Sequence, residues 1–112
     1  MALSFVAGRA VASDRSATFA DGLAVRVAIP EAVEAVNAVA DRMLLVSERT
    51  IAQAVADYDR AGIRAEGAAA AALAALPQLG DVTGAIVLVV TGRNIDDDLL
   101  ERCIREPESF PP

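Results

Sequence analysis

The chain contains no lysine and no histidine, and all ten of its basic residues are arginine. Each absence removes a class of chemistry. Without histidine there is no ordinary Ser–His or Cys–His nucleophile pair. Without lysine no side chain can form a Schiff base with a carbonyl, which leaves only the amino terminus for that role. The single cysteine, Cys103, cannot form an internal disulfide, and there is no Cys/His cluster to hold zinc. Cys103 falls on the inner face of a helix in the pattern read below, so it is expected to be a buried structural thiol. A basic face is also missing: the formal net charge is -6, which argues against nucleic acid as a partner. No apolar run approaches the roughly 20 residues that a membrane span needs, and no basic-then-apolar leader opens the chain. These features predict a soluble, cytoplasmic protein with no membrane partner.

Small aliphatic side chains are abundant instead. Hydrophobic residues make up 54% of the 112 positions, yet aromatics are only 4%. Alanine alone occupies 25 positions, so the core has few large anchors. The length suits one domain or a fragment of one, spanning residues 1–112 and ending in a Pro-rich tail at 107–112.

The first 22 residues carry no clean period, and Gly8 and Ser13-Asp14-Arg15-Ser16 read as turn or loop. After Asp21-Gly22, LAVRVAI alternates weakly and is consistent with a short strand that ends at Pro30. Pro30 suits the first turn of a helix over 31–41, with Val33, Val36 and Ala40 on one face. Met43-Leu44-Leu45-Val46 reads as a short buried strand. Ser47 follows as an N-cap to a helix striped by Ile51, Ala54, Val55 and Tyr58, which Gly62 can end. Residues 67–76, GAAAAALAAL, form a helix buried on most of its surface, ended by Pro77 and Gly80. Residues 85–90 form a continuously apolar, β-branched strand, expected to be central and covered on both faces. A last helix runs from about Ile95 to Arg105, with Leu99, Leu100, Cys103 and Ile104 inward, and Pro107, Pro111 and Pro112 keep the tail non-helical. Alternating strand and helix patterns predict an α/β layered domain, with a largely parallel sheet and flanking helices.

Four short segments bear on function. The turn Thr91-Gly92-Arg93-Asn94 follows the central strand and precedes a helix, the place where open α/β sheets bind ligands. Glycine there permits close backbone approach, and Thr91 offers both a donor and an acceptor. The same residues also suit an ordinary strand-to-helix connection capped by Asn94. Asp96-Asp97-Asp98 lie in a helix's first turn, where carboxylates complement the macrodipole and three successive positions diverge, so no metal site is expected. Glu66-Gly67 before the alanine helix suits either a solvated helix start or the wall of a cleft, and Asp21-Gly22 is a generic turn signal.

Taken together and in order, these segments resemble one family. ATFADGLAV (17–25) resembles the T-x-A-D-G-x-A-V segment of the pyridoxal-phosphate-dependent threonine and serine dehydratases. MLLVSERTIAQAV (43–55) resembles their V-S-E-x-x-I strand and helix. EGAAAAALAAL (66–76) is similar to their E-G-A-G-A-A-x-L-A-A-L helix start, and VLVVTGRNID (87–96) to V-V-V-L-S-G-G-N-I-D. The resemblance covers about Leu3 to Arg105. It implies the tryptophan-synthase-β-like fold (fold type II), with this chain as the carboxyl-terminal part of the larger, cofactor-holding domain.

The activity it implies is β-elimination of water from a hydroxy amino acid, giving a keto acid and ammonia. The cofactor it implies is pyridoxal phosphate, with Thr91 at the pyridine nitrogen and Gly92, Asn94, Glu66 and Gly22 around the cleft. Arg93 departs from the pattern, standing where many relatives have a second glycine. The family's Schiff-base lysine, glycine-rich phosphate loop and metal site lie upstream of the segments matched here. The chain by itself is therefore expected to hold no catalytic residue and to be half of a site. A missing amino-terminal half or a homo-oligomer is the expected partner. The alternative is a stand-alone, non-catalytic module derived from that fold, which oligomerises or binds a ligand or partner.

Overall fold

The computed structural model describes residues 1–112 and contains five α-helices: α1 (Ala2–Ala7), α2 (Pro30–Val39), α3 (Glu48–Arg60), α4 (Gly67–Ala75) and α5 (Asp97–Arg105). Short 3-10 turns lie at Asp21–Leu23, Leu76–Gln78 and Pro107–Ser109.

Local chemistry sets the ends of α3. Ser47 Oγ accepts from the Thr50 N–H at 3.2 Å, and Thr50 Oγ1 accepts from the Ser47 N–H at 3.1 Å. Two of the donors left free at the helix start are thereby satisfied. Gly62 then turns the chain out of the helix at φ 76, a left-handed conformation that costs glycine little. Between these ends the expected stripe of Ile51, Ala54, Val55 and Tyr58 is buried. Helix α4 lies against it, and Ala52 of α3 and Ala70 of α4 are both fully buried. With alanine on both sides, the core is built from many small contacts rather than a few large ones. Helix α5 completes the layer through Cys103, with Leu99 and Leu100 packed at its edge. Ile104, expected inward, is exposed: α5 turns its inner face along Cys103, Leu99 and Leu100, and Ile104 falls beside that stripe.

The amino-terminal stretch is more ordered than its sequence suggests. Helix α1 was not foreseen, because six residues are too few to display a period. Gly8 ends it at φ 64. Helix α1 packs on α2, where Val33 is buried and Pro30 takes the first turn as expected. The Pro-rich tail is not loose either. Phe110 is buried, its ring centroid 4.9 Å from that of Phe19, with the Arg102 guanidinium 4.1 Å above it. Arg49 donates from its main chain to the Pro111 carbonyl at 2.9 Å, fastening the tail to the start of α3.

The expected sheet is absent. Residues 23–29 contribute only an isolated antiparallel bridge, Ala12 with Val27. Residues 41–46 and 81–91 make no backbone–backbone hydrogen bond. The physical reason is that a strand is stable only beside another strand. These apolar segments are separated by helices and have no neighbour to pair with. The structure is therefore α-rich, and the expected layered, largely parallel sheet is not formed. The dimensions agree: the radius of gyration is 14.7 Å, against about 13 Å for a compact chain of this length.

Replacing Phe110 with alanine removes the tail's one buried anchor. F110A is expected to lower the unfolding free energy by about 3 kcal/mol, measured by urea denaturation followed at the helical circular-dichroism band. A loss near zero would show that the tail does not pin α3.

Candidate functional site

The turn between residues 91 and 94 is held from below by Glu66, the residue that precedes α4. The Glu66 N–H donates to the Gly92 carbonyl at 3.1 Å, and its Oε2 accepts from the Asn94 N–H at 3.0 Å. One residue thus binds the turn through both main chain and side chain across 28 positions. A Cβ at 92 would collide with the Glu66 carboxylate, which would have to swing aside and give up its bond from the Asn94 N–H. Gly22 approaches the same place from the other side: a Cβ would lie 2.9 Å from that of Ala68 and 3.5 Å from Glu66 Oε1. Gly67 is equally confined, with Phe19 ring carbons 2.7 Å from where its Cβ would be. Three glycines therefore let the 19–22 loop, the start of α4 and the 91–94 turn close around one carboxylate.

Of the six residues that the resemblance points to, four meet here: Glu66, Gly22, Gly92 and Asn94. Thr91 and Arg93 are exposed on the other side of the turn. With Ile63, Arg64, Val90 and Gly92 they line an open hollow of about 400 Å³. Glu66 and Asn94 instead line a smaller one with Phe19, Asp21 and Asp96. The turn is a partition with Thr91 on one side and Glu66 on the other.

The sequence reading overlooked Arg64. Its guanidinium donates to the Ile95 carbonyl at 2.5 Å and to Asp97 Oδ1 at 2.7 Å, holding the residues just beyond the turn. Only its position before Glu66-Gly67 hinted at this, and that spacing carries no signal of its own. Asp97 is thus paired with an arginine, while Asp96 and Asp98 are exposed. Cys103 is fully buried, and burial pushes its thiol up to about 11, with Arg102 acting in the opposite direction. It stays a neutral thiol at physiological pH, poorly suited to nucleophilic attack.

Whether pyridoxal phosphate suits these residues depends on the donors present. Thr91 is exposed, and a hydroxyl can either donate to or accept from a ring nitrogen. The Glu66 carboxylate behind it is engaged by the Asn94 N–H and does not compete. The chain contains neither a lysine for the aldehyde nor a glycine-rich phosphate loop, so it fits one edge of the group only.

Gly92→Ala is expected to destabilise the fold by about 2 kcal/mol through that collision. In a Glu66→Ala background the same change should cost much less, and a double-mutant cycle read by thermal unfolding measures the coupling. Equal costs in both backgrounds would show that the carboxylate does not fill the glycine's space. For Cys103, folded protein is expected to resist a thiol-reactive disulfide reagent at pH 8 and to react on denaturation. Because the thiol's folded-state pKa is raised, stability is retained below pH 9. It falls between pH 9 and about 11, where the unfolded chain loses the proton first.

Comparison with known proteins identifies the family of the chain. Residues 1–92 match the model of a family described as pyridoxal-phosphate dependent enzyme. The chain is also 35% identical over 108 residues, 95% of its length, to L-threonine ammonia-lyase of Thermotoga maritima. That alignment covers 27% of the relative, so the chain spans about a quarter of the curated protein it matches. No solved structure matches. The matched segments contain the 19–22 loop, Glu66 with α4, and the turn up to Gly92, and by that match the chain belongs to the family of pyridoxal-phosphate-dependent enzymes.

Proposed function

We propose that this chain is the carboxyl-terminal part of the cofactor-holding domain of a threonine/serine ammonia-lyase and is catalytically incomplete alone. The observation that carries the reading is the Glu66-fastened turn, which fixes the Thr91 backbone and leaves its hydroxyl exposed. When bound, pyridoxal phosphate supplies the electron sink for losing the α-proton and the β-hydroxyl of a hydroxy amino acid. This chain's residues hold and orient. Thr91 meets the ring nitrogen with a neutral hydroxyl, which does not keep a proton there as a carboxylate would, and so moderates the sink. Gly92 brings the backbone close, Asn94 and Glu66 lock the turn, and Gly22 closes the wall behind them. Arg93 adds a cation beside Thr91 that tunes which substrate side chain is accepted. Residues 43–46 and 85–90 are interior strands of a layered, largely parallel sheet that the remainder of the domain completes. The lysine and the phosphate loop come from that remainder.

A second reading, a non-catalytic module that associates through its apolar surface, is favoured by the exposed valines of 85–90. Ammonia and keto-acid release from threonine and serine separates the two. The pure chain is expected to release neither, and turnover by it alone would overturn the proposal. Joined to a lysine-bearing upstream polypeptide with pyridoxal phosphate, it is expected to become active. There Thr91→Ala should lower kcat/KM by about a hundredfold and Thr91→Ser should restore it. Persistent inactivity of the joined protein would favour the module.

A further inference from the structure

Phe19 stands between two parts of the molecule that share no hydrogen bond, the 91–94 turn and residues 107–111. Its ring borders the small hollow, about 130 Å³, beside Glu66 and Asn94. It also lies against the start of α4, so close that a Cβ on Gly67 would fall 2.7 Å from a ring carbon. The other neighbour of the ring is Phe110, with centroids 4.9 Å apart and planes tilted by 51°. Aromatic pairs attract at that spacing. The main chain of Phe19 is fixed as well: its N–H donates to Glu48 Oε2 at 3.0 Å, and Ala20 beside it is buried.

Phe110 is itself gripped from two helices. Arg49 of α3 donates to the Pro111 carbonyl from its main chain at 2.9 Å and to the Phe110 carbonyl from its side chain at 3.3 Å. Arg102 of α5 donates to Ser109 Oγ at 2.9 Å and to the Ser109 carbonyl at 3.1 Å, with its guanidinium over the Phe110 ring. The backbone before and after Phe110 is thereby fixed, and so is the face of its ring. Glu48, which holds Phe19, and Arg49, which holds Phe110, are adjacent at the start of α3, so one helix end sets the spacing of the two rings. A vacated place beside Phe19 would let its ring leave Gly67 for another staggered rotamer. Glu66 immediately precedes Gly67, so the two bonds it makes to the turn depend on where α4 begins.

We propose that Phe110 is a positioning residue for the 91–94 turn. Its ring holds Phe19 against Gly67, and that contact keeps Glu66 where it binds both the Gly92 carbonyl and the Asn94 N–H. The contacts run in series, from Arg49 and Arg102 through Phe110 and Phe19 to Glu66. Water adds a second effect. The Phe19 ring limits solvent access to the Glu66 carboxylate, and a hydrogen bond contributes less when water competes for its acceptor. That the turn presents Thr91 to a cofactor rests on the function proposed above. The coupling from Phe110 to Glu66 rests on these contacts alone.

The test measures hydrogen exchange of single amides in the whole chain by NMR. Neither cofactor nor substrate is present, so the ammonia-lyase reading can fail without altering the outcome. Phe110→Ala is expected to speed exchange at the Glu66 and Asn94 amides by at least about tenfold. Phe110→Leu, which refills the space, should bring both back to within about threefold of the unaltered chain. In a Phe19→Leu background, Phe110→Ala should add less than about twofold, because the contact it acts through is already gone. Arg102→Gln leaves every buried side chain unaltered and decides the matter should Phe110→Ala not fold. It should speed the same two amides by about threefold and leave those of 54–58 unchanged. Unchanged exchange at Glu66 and Asn94 in folded Phe110→Ala, or in Arg102→Gln, would overturn the proposal. Equal acceleration in both Phe19 backgrounds would overturn it too, since Phe110 would then act only through overall stability.

Discussion

The two hydrogen bonds made by Glu66 are the constraint on which the site depends. Residues 81–91 reach the turn without a backbone hydrogen bond to any other part of the chain, so nothing upstream fixes its position. Glu66 supplies that position from the opposite direction, from the start of a helix fully packed on α3. The carboxylate fills the space left by the missing side chain at Gly92, so the tie is steric as well as polar. Arg64 holds the exit of the turn through the Ile95 carbonyl. The presentation of Thr91 is therefore a property of the helical layer, where the small-residue core is most completely formed.

That arrangement divides the molecule. Helices α3, α4 and α5 with Phe110 form one core, in which the fastening of the tail adds a second closure through Arg49 and Arg102. Helices α1 and α2 pack on each other outside it. Between and beside these units run the apolar segments that have no structural role in the chain as it stands. The helical parts satisfy their own backbone and need only a surface to lie on. A strand satisfies nothing by itself, which is why the same sequence yields ordered helices and apolar segments without regular structure.

The same distinction governs what could be read from the sequence. Ser47, Gly62, Pro30 and the Ile51–Tyr58 stripe were legible because capping and the 3.6-residue period are local. Strands were expected from composition, at 85–90 most clearly, but the structure forms none there, because pairing is not a local property of the sequence. The Gly92–Asn94 turn and Glu66 drew attention by their place between apolar segments, but each motif alone was ordinary, and the resemblance was what tied them to Gly22. Their convergence on one carboxylate had no signature in spacing. Arg64 and the docked Phe110 escaped notice for the opposite reason, one being a single charge on a short link and the other an aromatic hidden among prolines.

The unpaired 82–90 segment has a thermodynamic consequence. Anything that binds the folded chain through that segment, and not the unfolded chain, stabilises it by mass action. The melting temperature is then set jointly by the chain and by how much of its complement is present. A core built mostly from alanine has few large buried anchors, so the gain from covering this surface would weigh correspondingly more in the balance between folded and unfolded chain. Open apolar surface of this kind ties the folded population to the concentration of anything that covers it.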